Sequence, residues 1–231
     1  GYHDALWADI RQSLTLYIHH VVLWRQADLW TSFDRFGIKL PQHPDGAALD
    51  LHVDQNPRVH PNFKTIQGVL ALADNPENQG TFRGIANSRA IFPEYANFVT
   101  DTYKGEYVPL KKHTPLAVQL EPHVQNFPLR AGDIISWDSR TTHANTSNFS
   151  ETPRFVALVA AGPAPKHNIT QLQNQRKAAF ASGLGSNVRE ALMHASMKPR
   201  FTDEGVINQH REPENLTLLG NCLYGFNPYP F

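Results

Sequence analysis

The chain has 231 residues, and 21 Lys plus Arg balance 21 Asp plus Glu, so its formal charge is zero. That balance argues against a basic nucleic-acid face or a polybasic membrane-binding stretch, and no block of like charge occurs. A single cysteine, Cys222, excludes an intrachain disulfide and a cysteine-rich metal site, and no apolar run approaches the roughly 18 residues that span a bilayer.

In chain order, apolar side chains at Leu6, Trp7, Ile10, Leu14, Tyr17, Ile18 and Val21 recur at helical spacing and predict an amphipathic helix from Asp4 to about Val22. His19 and His20 are expected on its solvated face. Ala27 to Leu40 is aromatic and β-branched and predicts one or two short strands, with Gly37 as a break. Leu49 to Pro57 reads as a strand, and Thr65 to Leu72 as another, closed by the polar turn Asp74 to Gly80. Phe92 to Tyr107 mixes aromatics with helix formers and gives no clear pattern. Ala117 to Leu120 reads as a strand. Pro128 to Trp137 reads as strand, Gly132-Asp133 turn, strand, and Phe155 to Ala161 is an apolar run of strand length.

Beyond Gly162-Pro163 the character changes: Thr170 to Ala181 and Asn187 to Ala195 look helical, and the tail from Pro213 is aromatic with Asn, Gly and Pro. Short strands through the middle with helices at the ends predict a mainly β fold with flanking helices. One domain over 1–231 is expected, with a helical flank at about 4–24, a β core at about 28–162 and a helical extension at about 168–231. No linker long enough to separate two domains is visible. Cys222 is expected as a small buried hydrophobe, and Trp7, Trp24, Trp30 and Trp137 as core. Four Asn-x-Ser/Thr triplets, at Asn145, Asn148, Asn168 and Asn215, are read as chance. No signal peptide is visible, and a cytoplasmic location is expected.

The chemistry concentrates in Leu49-Asp50-Leu51-His52-Val53-Asp54-Gln55-Asn56-Pro57. On a strand, Asp50, His52 and Asp54 share one face and Leu49, Leu51 and Val53 the other. An imidazole and a carboxylate two residues apart can both reach one ion, as two legs of the 2-His-1-carboxylate site that suits non-haem iron. Alone this signal is weak, since the composition yields about 0.6 such triplets by chance. A second copy stands at His43-Pro44-Asp45, where Pro and Gly mark a turn, and it remains a rival for the metal. The best third ligand is His143, after the Gly132-Asp133 turn and its strand. Arg154 opens the Phe155 strand, and its planar fork suits a carboxylate-bearing cosubstrate.

His52-x-Asp54 followed by Gly132-Asp133, His143 and Arg154 resembles the iron(II)- and 2-oxoglutarate-dependent dioxygenases, and within them the phytanoyl-CoA dioxygenase-like branch. The likeness runs from about Leu6 to Gly225 and includes Ile66-Gln67-Gly68 and the closing Leu216-Thr217-Leu218-Leu219-Gly220. The resemblance implies a double-stranded β-helix, the jelly-roll of cupin-like barrels. It implies Fe(II) on His52, Asp54 and His143, and O2 and 2-oxoglutarate as cosubstrates, with the far carboxylate of the latter on Arg154. Asn145 stands where relatives often place a small hydroxyl residue, and Gln67 is a further expected donor to the cosubstrate. Retention of Asp54 favours oxygenation over halogenation. The implied reaction oxidises a C–H of a small-molecule metabolite by hydroxylation, desaturation or cyclisation, releasing succinate and CO2.

After Gln79-Gly80 the chain departs from the branch: Thr81-Phe82 and Ala86-Asn87-Ser88-Arg89 replace its paired glycines and Gly-Ser-His element. The substrate is therefore left open, with no basic cluster for the phosphates of coenzyme A. Neither nucleic acid nor membrane is an expected partner, and the oligomeric state is not readable. Two other readings stand beside the oxygenase: a jelly-roll metal protein that is an isomerase or binding module, and a histone-demethylase-like protein, which would anchor 2-oxoglutarate by Lys. Arg35, Lys39 and Gln42 are read as pocket mouth or solvated edge.

Overall fold

A computed structural model describes residues 9–34, 36–41, 49–181 and 216–230. The chain forms two compact units, Gly1–Phe36 with Leu158–Phe231, and Gly37–Ala157. The described part is mainly antiparallel β-sheet with flanking helices.

In the first unit, helix α1 (Leu14–Trp24) precedes strand β1 (Leu29–Thr31). Strand β1 pairs antiparallel with the late strand Ala161–Pro163, with Trp30 opposite Gly162. Leu29, Phe33, Ala161, Ala179, Leu223, Tyr224 and Phe226 form the core there, with Tyr17, Val21 and Trp24 packed against it. The predicted α1 pattern holds two apolar stripes, and the core takes Tyr17, Val21 and Trp24 while Leu14, Ile18 and Val22 stay exposed. The segment Asp4 to Ala8 lies outside the described residues.

His20 corrects an expectation. It is buried rather than solvated, with its Nδ1 2.9 Å from the Leu16 carbonyl. Burial, the largest cause, pushes its pKa down to about 4; the Leu16 bond opposes that and the neighbouring His19 adds to it. The folded state therefore favours the neutral ring. The unfolded chain takes up the proton first, so this stability is intact above about pH 6.5 and is lost as pH falls towards 4. Such a shift corresponds to stability on the order of 3 kcal/mol. His20→Phe is expected to flatten the acid limb of a pH series of urea melts, and an unchanged limb would contradict this account.

Two arginines are buried on backbone carbonyls in this unit. Arg11 donates to the carbonyls of Ser32, Asp34 and Leu158 at 2.8, 2.6 and 2.8 Å. Arg176 donates to those of Tyr224 and Thr31 at 2.7 and 2.6 Å and lies over the Phe33 ring at 4.2 Å. Charged donors satisfy carbonyls that would otherwise be buried at a cost.

Strand β2 (Phe36–Lys39) leads into the second unit. Gly37 lies inside it rather than breaking it; a Cβ there would come within 2.9 Å of Val156. Next come β3 (His52–Val53), β4 (Ile66–Ala71), β5 (Phe82–Gly84), a 3-10 helix over Ser88–Phe98, and β6 (Val108–Pro109). Helix α2 (Pro115–Leu120), a 3-10 turn over Glu121–His123, β7 (Gln125–Phe127), β8 (Ile134–Asp138), β9 (His143–Asn145) and β10 (Arg154–Val159) follow. The strand predicted at Ala117–Leu120 is thus helix α2. Thr114 caps it by accepting from the Ala117 N–H at 3.3 Å, and Pro115 occupies its first turn. That start signal outweighs a short apolar run.

One sheet runs β2-β10-β4-β8 and the other β6-β3-β9-β5-β7. Leu51, Val53, Val108, Leu110 and Ala144 carry the second sheet's apolar face onto Phe92, Tyr95, Leu116, Ala117 and Leu120. The chain ends with β11 (Ala161–Pro163), α3 (Ile169–Ala181) and α4 (Leu218–Leu223), the last capped by Thr217 on the Gly220 N–H at 3.0 Å. The helix predicted at Asn187–Ala195 lies outside the described residues. Cys222 is buried and free as expected, and no described helix is long and apolar enough to cross a membrane.

Candidate metal centre

Strands β3 and β9 are antiparallel neighbours, and their register sets His52 directly opposite His143. Paired residues share a face, so both imidazoles leave the sheet on the side opposite Leu51, Val53 and Ala144. The ring centroids are 4.3 Å apart. Strand β3 is only two residues long, not the nine-residue strand read from the sequence, because Gln55-Asn56-Pro57 turns the chain away. Asp54 follows its end and turns its carboxylate to both rings, 3.3 Å from His143 Nε2 and 3.8 Å from His52 Nε2. One ligand atom from each of the three lies within 4.8 Å of the others.

The tautomers suit ligation. His52 Nδ1 lies 2.8 Å from the Asp50 carbonyl and His143 Nδ1 lies 2.9 Å from the Thr141 carbonyl. A carbonyl only accepts, so each Nδ1 carries a proton, and in the neutral tautomer that this selects Nε2 is the nitrogen facing the cluster. Burial first, and then the neighbouring His143, push the His52 pKa down to about 4, against the opposing pull of Asp54 and Asp50. The ring is neutral near pH 7, as a ligand must be.

Aromatic walls surround the cluster. Phe82 stacks on His143 at 5.5 Å, Trp137 lies 5.0 Å from the same ring, and Tyr107 lies 4.8 Å from His52. Gln67 and Trp137 are register partners on β4 and β8. Gln67 Oε1 and Trp137 Nε1 are both buried without a hydrogen-bond partner among the described residues.

Asn145 lies two residues past His143 on the same face of β9, and its Oδ1 accepts from Arg154 Nη1 at 3.3 Å. Asn75 Oδ1 accepts from Arg154 Nε at 3.1 Å. Arg154 is buried, and burial lowers its pKa to about 10, which still leaves it protonated at neutral pH. Its Nη2 has no hydrogen-bond partner, and no carboxylate pairs with it among the described residues. Lys39 donates its Nζ to the Thr146 carbonyl; burial and then the Arg154 charge lower its pKa to about 8. A buried guanidinium with an unmet donor calls for an anion.

The structure thus brings His52, Asp54 and His143 together, and places Asn145 on Arg154 and Gln67 beside Trp137. His43-Pro44-Asp45, Arg35 and Gln42 lie outside the described residues. Trp137 reads from sequence as core and Lys39 as pocket mouth or solvated edge, while Tyr107 and Asn75 carry no site signal there. Trp137 was legible, standing six residues before His143 on the strand that follows the Gly-Asp turn. Asn75 and Tyr107 come from loops with no periodicity. A cavity of about 600 Å³ bounded by Leu51, Arg83, Leu110, Ala117, Val118 and Glu121 includes none of the three candidate ligands. It lies against the sheet's other, apolar face.

A mainly β protein presenting two imidazole nitrogens and one carboxylate to a common point has the donor set of a mononuclear metal protein with open coordination positions. Residues 6–156 match the phytanoyl-CoA dioxygenase (PhyH) family, and the chain belongs to it. Ava biosynthesis cluster protein O of Aspergillus versicolor is 31% identical over 154 residues, 61% of this chain and 49% of that protein. The chain thus spans about half the length of this curated relative. Among solved structures, the hypothetical protein JW0805 of Escherichia coli has a TM-score of 0.67 at 18% identity, covering 94% of this chain and 67% of that one. A putative oxidoreductase of Salmonella typhimurium LT2 has a TM-score of 0.66 at 16% identity, covering 95% and 66%. At these identities the structures share the fold.

Proposed function

We propose that the chain is an Fe(II)- and 2-oxoglutarate-dependent oxygenase that oxidises a C–H bond of a small-molecule metabolite. The observation that carries this reading is the combination of the His-Asp-His cluster with a buried, protonated Arg154 whose Nη2 is unmet. Membership of the PhyH family supports it. The two sheets, with Arg154 on one and both imidazoles on the other, support reading the core as the facing walls of a double-stranded β-helix.

In this reading His52, Asp54 and His143 hold iron through Nε2, a carboxylate oxygen and Nε2. Bound iron supplies oxygen activation coupled to decarboxylation, so that substrate, O2 and 2-oxoglutarate become hydroxylated product, succinate and CO2. Arg154 receives the cosubstrate's far carboxylate with its free Nη2. Asn145 and Asn75 orient the guanidinium through their side-chain oxygens, and the amide N–H groups of Asn145 keep the donor role expected of it towards the cosubstrate. Lys39 adds a second positive charge at that end. Trp137, beside His143, offers an indole N–H to cosubstrate or substrate, and its register partner Gln67 offers an amide. Phe82, Trp137 and Tyr107 exclude water from the reacting space, which strengthens the ionic contacts.

The Aspergillus relative is named for a biosynthesis cluster, which supports a free small molecule over a macromolecule as substrate. Purified protein supplied with Fe(II), 2-oxoglutarate and air is expected to form succinate in a substrate-dependent manner across a panel of candidate metabolites. Metal binding without any 2-oxoglutarate consumption would instead favour a non-oxygenase metal protein.

A further inference from the structure

We propose that Gln55 is a positioning residue that ties the segment carrying Asp54 to the segment carrying His143 and so fixes the geometry of the metal site. The proposal rests on the metal-centre reading above. Asp54 lies past the last ladder pair of β3, so the strand itself does not hold its carboxylate. The next residue, Gln55, is fully buried, and its amide is spent in three directions. Nε2 donates to the carbonyls of His60 and Asn62, both at 2.5 Å. Oε1 accepts from Ser139 Oγ at 2.7 Å.

Ser139 is equally buried and stands at the start of the loop that ends at His143. Its backbone N–H donates to the Thr65 carbonyl at 3.0 Å. Two residues on, the Thr141 carbonyl receives the Nδ1 proton of His143. A single side chain adjacent to one ligand is therefore bonded to the loop that orients another. Such outer contacts commonly carry about 10- to 100-fold in metal affinity.

Asn56 provides the comparison. It is as buried as Gln55 and also uses its whole amide, but in another direction. Nδ2 donates to the carbonyls of Tyr103 and Gly105 at 3.2 and 3.0 Å, and Oδ1 accepts from the Arg58 N–H at 3.0 Å. It holds the 103–105 loop and makes no bond to the ligand-bearing segment of β9. If Gln55 acts only by stabilising the fold, the two residues behave alike. If it acts as a tether, they separate.

The test titrates Co(II) and Fe(II) alone into wild type, Gln55→Leu, Ser139→Ala, the double variant and Asn56→Ala, alongside thermal melts. Co(II) also reports coordination through its ligand-field absorption. Gln55→Leu is expected to bind either ion about 10- to 100-fold more weakly, with an altered Co(II) spectrum. Ser139→Ala, which leaves the His60 and Asn62 bonds in place, is expected to lose less, and the double variant no more than Gln55→Leu. Asn56→Ala is expected to lower the melting temperature while keeping the wild-type affinity and spectrum. Wild-type affinity and spectrum in Gln55→Leu and Ser139→Ala, or equal losses in Asn56→Ala, would overturn the tether. Should Gln55→Leu fail to fold, Ser139→Ala decides. A wild-type chain that takes neither ion would instead overturn the metal-centre reading, and the tether with it.

Discussion

His143→Ala is expected to abolish stoichiometric Fe(II) binding and, with it, substrate-dependent succinate formation. The reasoning starts from donor count. His52 and Asp54 alone offer one imidazole and one carboxylate from adjoining positions, a pair that recurs by chance and holds a divalent ion weakly in competition with water. His143 supplies the third donor, with Nε2 turned to the cluster because Nδ1 is committed to the Thr141 carbonyl. Its loss is expected to exceed the roughly 100-fold penalty that even an outer-shell defect brings. His143 packs against Phe82 and Trp137, so the variant also leaves a cavity. Asp54→Ala separates the two effects, because it removes a smaller, partly exposed side chain. Both variants should lose metal, whereas only His143→Ala should lose several degrees in a melt. A folded His143→Ala protein that turns over 2-oxoglutarate at the wild-type rate would remove iron from His143.

The candidate metal cluster was legible in the sequence because strand alternation and the later His143 converged on His52-Val53-Asp54. Alternation put the candidate ligands on one face and Leu51 and Val53 on the other, and the core cluster agrees with that face assignment. What alternation did not carry was extent. Leu49 is exposed and β3 spans two residues, since the ladder depends on its neighbours β6 and β9 rather than on local propensity. His20 and Arg176 were illegible for a related reason. A helix with two apolar stripes does not declare which one the core will take, and a buried arginine satisfied by backbone carbonyls leaves no patterned partner in the sequence. Trp137 carries its nearness to His143 in its sequence position, but an aromatic on a strand reads as core until its register with Gln67 and its approach to the His143 ring set it apart.

Arg154→Ala is the variant that separates an oxygenase from any other metal protein on this fold, because iron alone has no need of that side chain. The guanidinium is buried and protonated, held by Asn75 and Asn145, with Nη2 unmet. Removing one partner of a buried charge pair costs about 2–5 kcal/mol of binding, roughly 30-fold to several-thousand-fold in affinity. That loss should appear in 2-oxoglutarate affinity while Co(II) affinity stays at the wild-type value. Arg154→Lys is expected to recover only part of it, since a point charge cannot replace the planar fork. The ligand supplies the second arm of the test. 2-Oxobutyrate keeps the keto acid that chelates metal and lacks the far carboxylate, so the wild type should bind it as weakly as Arg154→Ala binds 2-oxoglutarate. In Arg154→Ala the two acids should bind alike, and that equality distinguishes a lost ion pair from a general loosening of the site. Undiminished preference for 2-oxoglutarate in a folded, metal-loaded Arg154→Ala would move the anchor elsewhere, with Lys39 the next cation to examine. Absence of 2-oxoglutarate binding by the wild type itself would leave the chain a metal-binding isomerase or binding module.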